Sequence, residues 1–242
     1  MKKESINKII IVTLFAIAMG FLESTVVVYL RKLYYPNGFN FPLHGFVDPS
    51  ILGIEWIREF ATIVMLLAIG LLAGKKFYEK FSYFIYAFAV WDIFYYVFLK
   101  LILDWPCSLL AWDLLFLIPW PWIAPVLAPI LCSILMIITA VLIINLEDSK
   151  TKMKVNIIEY IIIILGVLIV LFTFLYDYGK VIITNGFTKE FFTLVANEQF
   201  HKIITSYSPS KFNWILFLIG FIISVIGIII TYLKNKKRRK QK

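Results

Sequence analysis

Six charged residues stand inside apolar runs long enough to cross a bilayer: Glu23, Glu55, Arg58, Glu59, Asp92 and Lys100. Asp113 lies in a shorter apolar run beside them. A charge at the centre of a membrane helix costs roughly 2.5–3.5 kcal/mol on insertion scales, so such residues are rare and mark ion pathways, proton relays or paired charges. A carboxylate kept from water can hold a proton in place of its charge, and crowding several together has the same effect. The chemistry these residue types point to is proton handling or cation binding.

Their spacing groups them on helix faces. Glu23, Val27 and Arg31 recur at i, i+4 and i+8, as do Asp92, Tyr96 and Lys100. Glu55 and Glu59 are one turn apart, with Arg58 and Thr62 adjoining the same side. Tyr95, Tyr96, Tyr29 and Tyr34 add hydroxyls that can extend a hydrogen-bond chain. Counting Glu23, Glu55, Glu59, Asp92, Asp104 and Asp113 against Arg31, Arg58 and Lys100 leaves three surplus negative charges if all are ionised.

A blander reading covers part of this set. Glu55 and Arg58 can pair within one helix. Arg31, Lys100 and Asp104 can reach the membrane surface along their stems, with Trp105, Trp120 and Trp122 as aromatic-belt anchors. Glu23 and Asp92 resist it, because their short side chains are too deep to reach water.

Two histidines complete the chemical inventory. His44, in Phe41-Pro42-Leu43-His44-Gly45, is placed near the mouth of the proposed site, where it could serve as an acid/base or a metal ligand. His201 lies in a later amphipathic segment and is the weaker candidate. Neither lies in a span, so a haem held within the bundle finds no deep axial ligand. Cys107 and Cys132 form no C-x-x-C, and two Cys with two His lack zinc-site spacing. No P-loop, G-x-S-x-G, H-E-x-x-H or dinucleotide fingerprint occurs. The sequence names no metal and no cofactor.

The elements that position these residues follow from hydropathy. Of 242 residues 61% are hydrophobic, against roughly 45–50% in soluble domains, and mean hydropathy is +0.87. The apolar residues fall in six runs, near 8–30, 51–73, 81–103, 120–145, 155–175 and 212–233. Each is about 20 residues or more, enough for the ~30 Å hydrocarbon core. Ala16-Ile17-Ala18 resembles a signal-peptidase site, but apolar sequence continues through Leu30, so the first span is expected to be retained.

Charge sets the orientation. With the N-terminus inside, sixteen of the 24 Lys and Arg fall in inside segments, seven of them in the tail 234–242. The positive-inside rule then puts both termini in the cytoplasm, and the expected location is the cell membrane. The net charge of +9 is largely this tail, a topology signal that can also touch anionic headgroups. Without an aromatic–basic platform, nucleic acid is not an expected partner. The expected partners are the bilayer and a proton, cation or small polar ligand; which protein partners it has, the sequence leaves open.

The expected fold is all-α: a polytopic six-helix transmembrane bundle, read as a single integral membrane domain over 1–242. Cys107 to Ile118 is apolar but too short to cross, which predicts a short re-entrant or interfacial helix between spans three and four. Pro121, Pro125 and Pro129 follow every four residues, predicting a kinked or broken start to span four. The outer loop 176–211 contains a predicted amphipathic helix from Thr188 to Ser206. All the deep charges then fall in the outward half, mainly on the first three spans. Three function classes fit: transport of a proton, cation or small solute; a membrane-embedded enzyme acting on a lipid-linked or extracytoplasmic substrate; and a non-catalytic assembly or partner subunit.

Overall fold

The computed structural model describes residues 1–43, 48–148, 153–187, 197–209 and 211–241. Its elements in chain order are α1 (Lys3–Tyr34), α2 (Pro49–Ala73), α3 (Phe77–Leu103), β1 (Trp112–Phe116), β2 (Trp122–Pro125), α4 (Leu127–Glu147), α5 (Ile157–Thr184), α6 (Glu198–Ser206) and α7 (Trp214–Lys240). All of these helices except α6 are long and apolar enough to cross a membrane. The six-helix, all-α expectation therefore holds. A helix suits this setting because it satisfies its own backbone groups where water is absent. Large apolar side chains such as Ile11, Leu72 and Ile215 are more than 60% exposed. Such a surface is that of a multi-pass membrane protein, with lipid in place of water.

Helix starts are written locally. Asp48 accepts from the Ser50 amide at 2.8 Å, with Pro49 in the first turn of α2. Asn156 and Glu159 form a capping box on α5. Asn197 and Asn213 accept from the amides of Phe200 and Leu216, each at 3.0 Å, to open α6 and α7. The predicted amphipathic helix over Thr188–Ser206 is observed from Glu198 onward; its first part, 188–196, lies outside the described residues.

α3 is the hub of the bundle, packing on α1, α2 and α4, while α5 pairs with α7. Val12, Ala16, Leu66, Ala87 and Ala140 centre the first core. The α5–α7 pair joins the rest through α4 and β2, around Ala124, Ala128, Phe174 and Phe217. It closes to backbone distance at Gly166: a Cβ there would lie 2.6 Å from the Ser224 nitrogen and 2.7 Å from the Gly220 carbonyl oxygen. Small residues at such crossings let membrane helices pack by dispersion. Gly166→Leu should therefore force the pair apart and lower stability by roughly 1–3 kcal/mol, the usual cost of overpacking. Thermal denaturation in detergent checks this. Gly53→Leu, where a Cβ meets nothing within 4 Å, should leave the transition near its parent value.

The segment between α3 and α4 requires a correction. It is not a short helix: β1 and β2 form an antiparallel hairpin, pairing Trp112 with Pro125, Asp113 with Ala124, Leu114 with Ile123 and Phe116 with Trp122. Proline explains the difference. Pro119, Pro121 and Pro125 deprive seven residues of three backbone donors and forbid a continuous helix. The segment instead runs extended and pairs with 112–116, and the Val126 and Leu127 amides donate to the Ala111 and Leu109 carbonyls at 3.0 and 2.8 Å. Span four accordingly starts at Leu127 rather than near 120. Pro129 falls in the first turn of α4, where its missing N–H leaves no helical bond unmade.

The hairpin sits at the end of the bundle that holds the C-termini of α1 and α3 and the N-terminus of α2. The opposite end is basic and cross-tied. Lys76 pairs with Glu147 at 3.0 Å and Lys234 with Glu159 at 2.7 Å. Asn235 exchanges two hydrogen bonds with the Lys154 backbone, at 2.8 and 2.9 Å.

Candidate functional site

At the hairpin end a cavity of about 150 Å³ opens among α1, α2, α3 and the hairpin. α1 lines it with Glu23, Val27 and Arg31, the predicted stripe. α2 contributes Glu55, Arg58 and Glu59; α3 contributes Asp92, Tyr95 and Tyr96; the hairpin contributes Asp113. Residues far apart in sequence thus share one space, because α3 is packed on both α1 and α2.

Each charged group has a specific partner. Arg58 stands between two carboxylates: its Nη1 donates to Glu23 Oε1 and its Nε to Glu55 Oε2, the latter at 2.7 Å. Thr62 Oγ1 adds a long contact to Glu23 at 3.4 Å. Glu59, 7% exposed, accepts the Leu117 backbone amide of the hairpin at 2.8 Å. Asp92 keeps part of its surface on the cavity and accepts from Ser133 Oγ of α4 at 2.7 Å. Arg31 Nη2 donates to Asp113 Oδ1 at 3.0 Å. The Tyr96 hydroxyl also approaches Asp113, without reaching hydrogen-bond geometry at Oδ2.

Of the residues singled out in the sequence, Glu23, Glu55, Arg58, Glu59, Asp92, Tyr96 and Asp113 therefore meet around one cavity. Lys100 does not. It is half-exposed at the end of α3 and pairs with Asp104 Oδ1 at 2.6 Å. Spacing alone does not decide this, because Glu23 and Arg31 are also eight residues apart and both reach the cavity. Lys100 lies at the helix end, where Asp104 takes its charge. His44 lies outside the described residues, and the side chain of His201 is likewise not described. Because Lys100 and Asp104 leave together as a rim pair, the charge balance survives: five carboxylates face two guanidiniums, a formal surplus of three negative charges.

Arg31 also departs from expectation. It does not reach for the membrane surface but is 7% exposed, with its guanidinium 3.7 Å from the Trp105 ring centroid and 4.2 Å from that of Phe39. Trp105 is accordingly a stacking partner rather than a free belt anchor. Trp120 and Trp122 are engaged as well, donating to the Leu175 and Ile118 carbonyls at 3.1 and 2.7 Å.

Several contributors escaped sequence reasoning. The Leu117 amide had no side-chain signal. Ser133 had one: a lone hydroxyl within a long apolar run. Arg31 stood on the predicted stripe with Glu23, but its partner Asp113 is 82 residues away and left no local signal. Among the described residues no group of three or more His, Cys, Asp and Glu is arranged to hold a metal ion. No protein-family model, curated protein or solved structure matches the chain.

Proposed function

We propose that this protein moves a proton, a small cation or a small polar solute across the cell membrane, using the carboxylate cavity as its binding site. The observation that carries this reading is the convergence of five carboxylates and two guanidiniums from four elements on one cavity with surplus negative charge. The volume sets the scale. A 150 Å³ cavity in another protein holds benzene, so roughly six heavy atoms, or about five waters at ~30 Å³ each, fit. In the proposed orientation the basic end, with both termini, faces the cytoplasm and the hairpin end faces outward.

The test is flux in proteoliposomes. Asp92→Asn keeps the acceptor for Ser133 and removes the titratable group. Proton-driven or cation flux should fall about 100-fold, the scale of a positioned proton-transfer group, while the variant elutes and melts like the parent. Parent-level flux in Asp92→Asn and Glu23→Gln would sink the proposal. Turnover of a substrate without any gradient would move the reading to a membrane enzyme, and loss of abundance or of partner binding without flux would move it to a structural subunit.

A further inference from the structure

A second cavity, of about 440 Å³, lies between the C-terminal ends of α1 and α3, bordered by Lys32, Leu103, Asp104 and Trp105. Arg31, Tyr35 and Phe39 border both this vestibule and the carboxylate cavity. These three side chains stand where the two spaces meet.

Arg31 is held in an incomplete way. Two aromatic faces clamp its guanidinium, and one hydrogen bond ties it to Asp113. Its Nη1 and the Oδ2 of Asp113 are both buried without a hydrogen-bond partner. A two-pronged arginine–carboxylate pair would satisfy both atoms. A buried donor and a buried acceptor left open raise the energy of the closed arrangement, and a guanidinium turned into the wider vestibule would recover water for its donors. The closed state is therefore opposed by a nearby alternative.

We propose that Arg31 is a gate between the vestibule and the carboxylate cavity. Stacked between Phe39 and Trp105 and tied to Asp113, it keeps the vestibule and the cavity apart; swung into the vestibule, it joins them. A cation arriving at Asp113 competes with Arg31 for the same carboxylate, so occupancy and opening are coupled. A proton delivered to Asp113 has the same effect, because it cancels the charge that holds the guanidinium. The regulatory role rests on the transport reading; the physical separation of the two spaces does not.

Cysteine accessibility tests it in the full-length protein. In a background with Cys107→Ser and Cys132→Ala, Val27→Cys reports on the inner cavity and Leu103→Cys on the vestibule, both probed with a charged, membrane-impermeant thiosulfonate. With the gate intact, Val27→Cys should react roughly tenfold or more slowly than Leu103→Cys. Opening the gate should bring Val27→Cys up to the vestibule rate. Arg31→Ala with Asp113→Asn opens it without leaving a lone buried carboxylate. Trp105→Leu opens it while retaining the ion pair, and covers the case in which the double variant fails to fold. If Val27→Cys already reacts as fast as Leu103→Cys, or if neither gate variant accelerates it, the proposal is overturned. Accelerated labelling in a protein without flux keeps the gate and removes the transport reading; flux with unchanged labelling does the reverse.

Discussion

Arg58→Met is expected to destabilise the protein by up to about 3 kcal/mol, the lower end of the cost of breaking a buried pair from one side, because this network is only part-buried. Arg58 donates to both Glu23 and Glu55, so its loss strands two carboxylates beside a small cavity. The carboxylates must then take up protons or draw water into the bundle, and each response weakens the contact between α1 and α2. That contact is slight elsewhere, since both helices pack mainly on α3. The measurement is the midpoint of thermal unfolding in detergent, followed by tryptophan fluorescence. The triple change Arg58→Met, Glu23→Gln and Glu55→Gln should recover most of the loss, because a neutral set leaves no unpaired charge. If the single change melts with the parent, the two carboxylates do not depend on Arg58 and the network carries no stability.

Glu59 separates structure from transport more sharply. Its Oε2 accepts the Leu117 amide, and a glutamine carbonyl can accept the same bond. Glu59→Gln is therefore expected to fold and melt as the parent does, while flux falls about 100-fold if proton exchange at this position is part of the path. Glu59→Leu removes the acceptor, leaves the Leu117 amide buried without a partner, and should cost a further 1–3 kcal/mol or so. Equal flux in the parent and Glu59→Gln would confine Glu59 to a structural role. Equal melting of Glu59→Gln and Glu59→Leu would show that the bond to the hairpin carries no weight.

The six spans were legible because hydropathy and length are properties of each run alone. Their ends were less so. α5 runs to Thr184 rather than near 175, past Tyr176, Asp177 and Lys180, which read as loop. Tyr178 shows why: it is fully buried, so tertiary packing extends the helix through polar sequence. The hairpin was legible only in part. Its prolines signalled broken structure, but extended chain needs a partner strand, and pairing across a turn is not a property of either segment alone. Charge pairing was hardest. Glu55 and Arg58 are three residues apart, and their contact was readable; Arg31 and Asp113 are 82 apart, and nothing local links them. Lys100 fitted its stripe by spacing and then found Asp104 at the rim, a nearer partner in more water.

The sharing of Arg58 between α1 and α2 also bears on biogenesis. α1 is synthesised before α2 and carries Glu23 with no cation on its own helix at that depth. α2 follows with Arg58, which can meet Glu55 internally and Glu23 across the interface. Releasing α1 alone into lipid exposes an unmatched acid, whereas releasing the two helices together delivers a compensated pair. The arrangement thus favours entry of α1 and α2 into lipid as a two-helix unit.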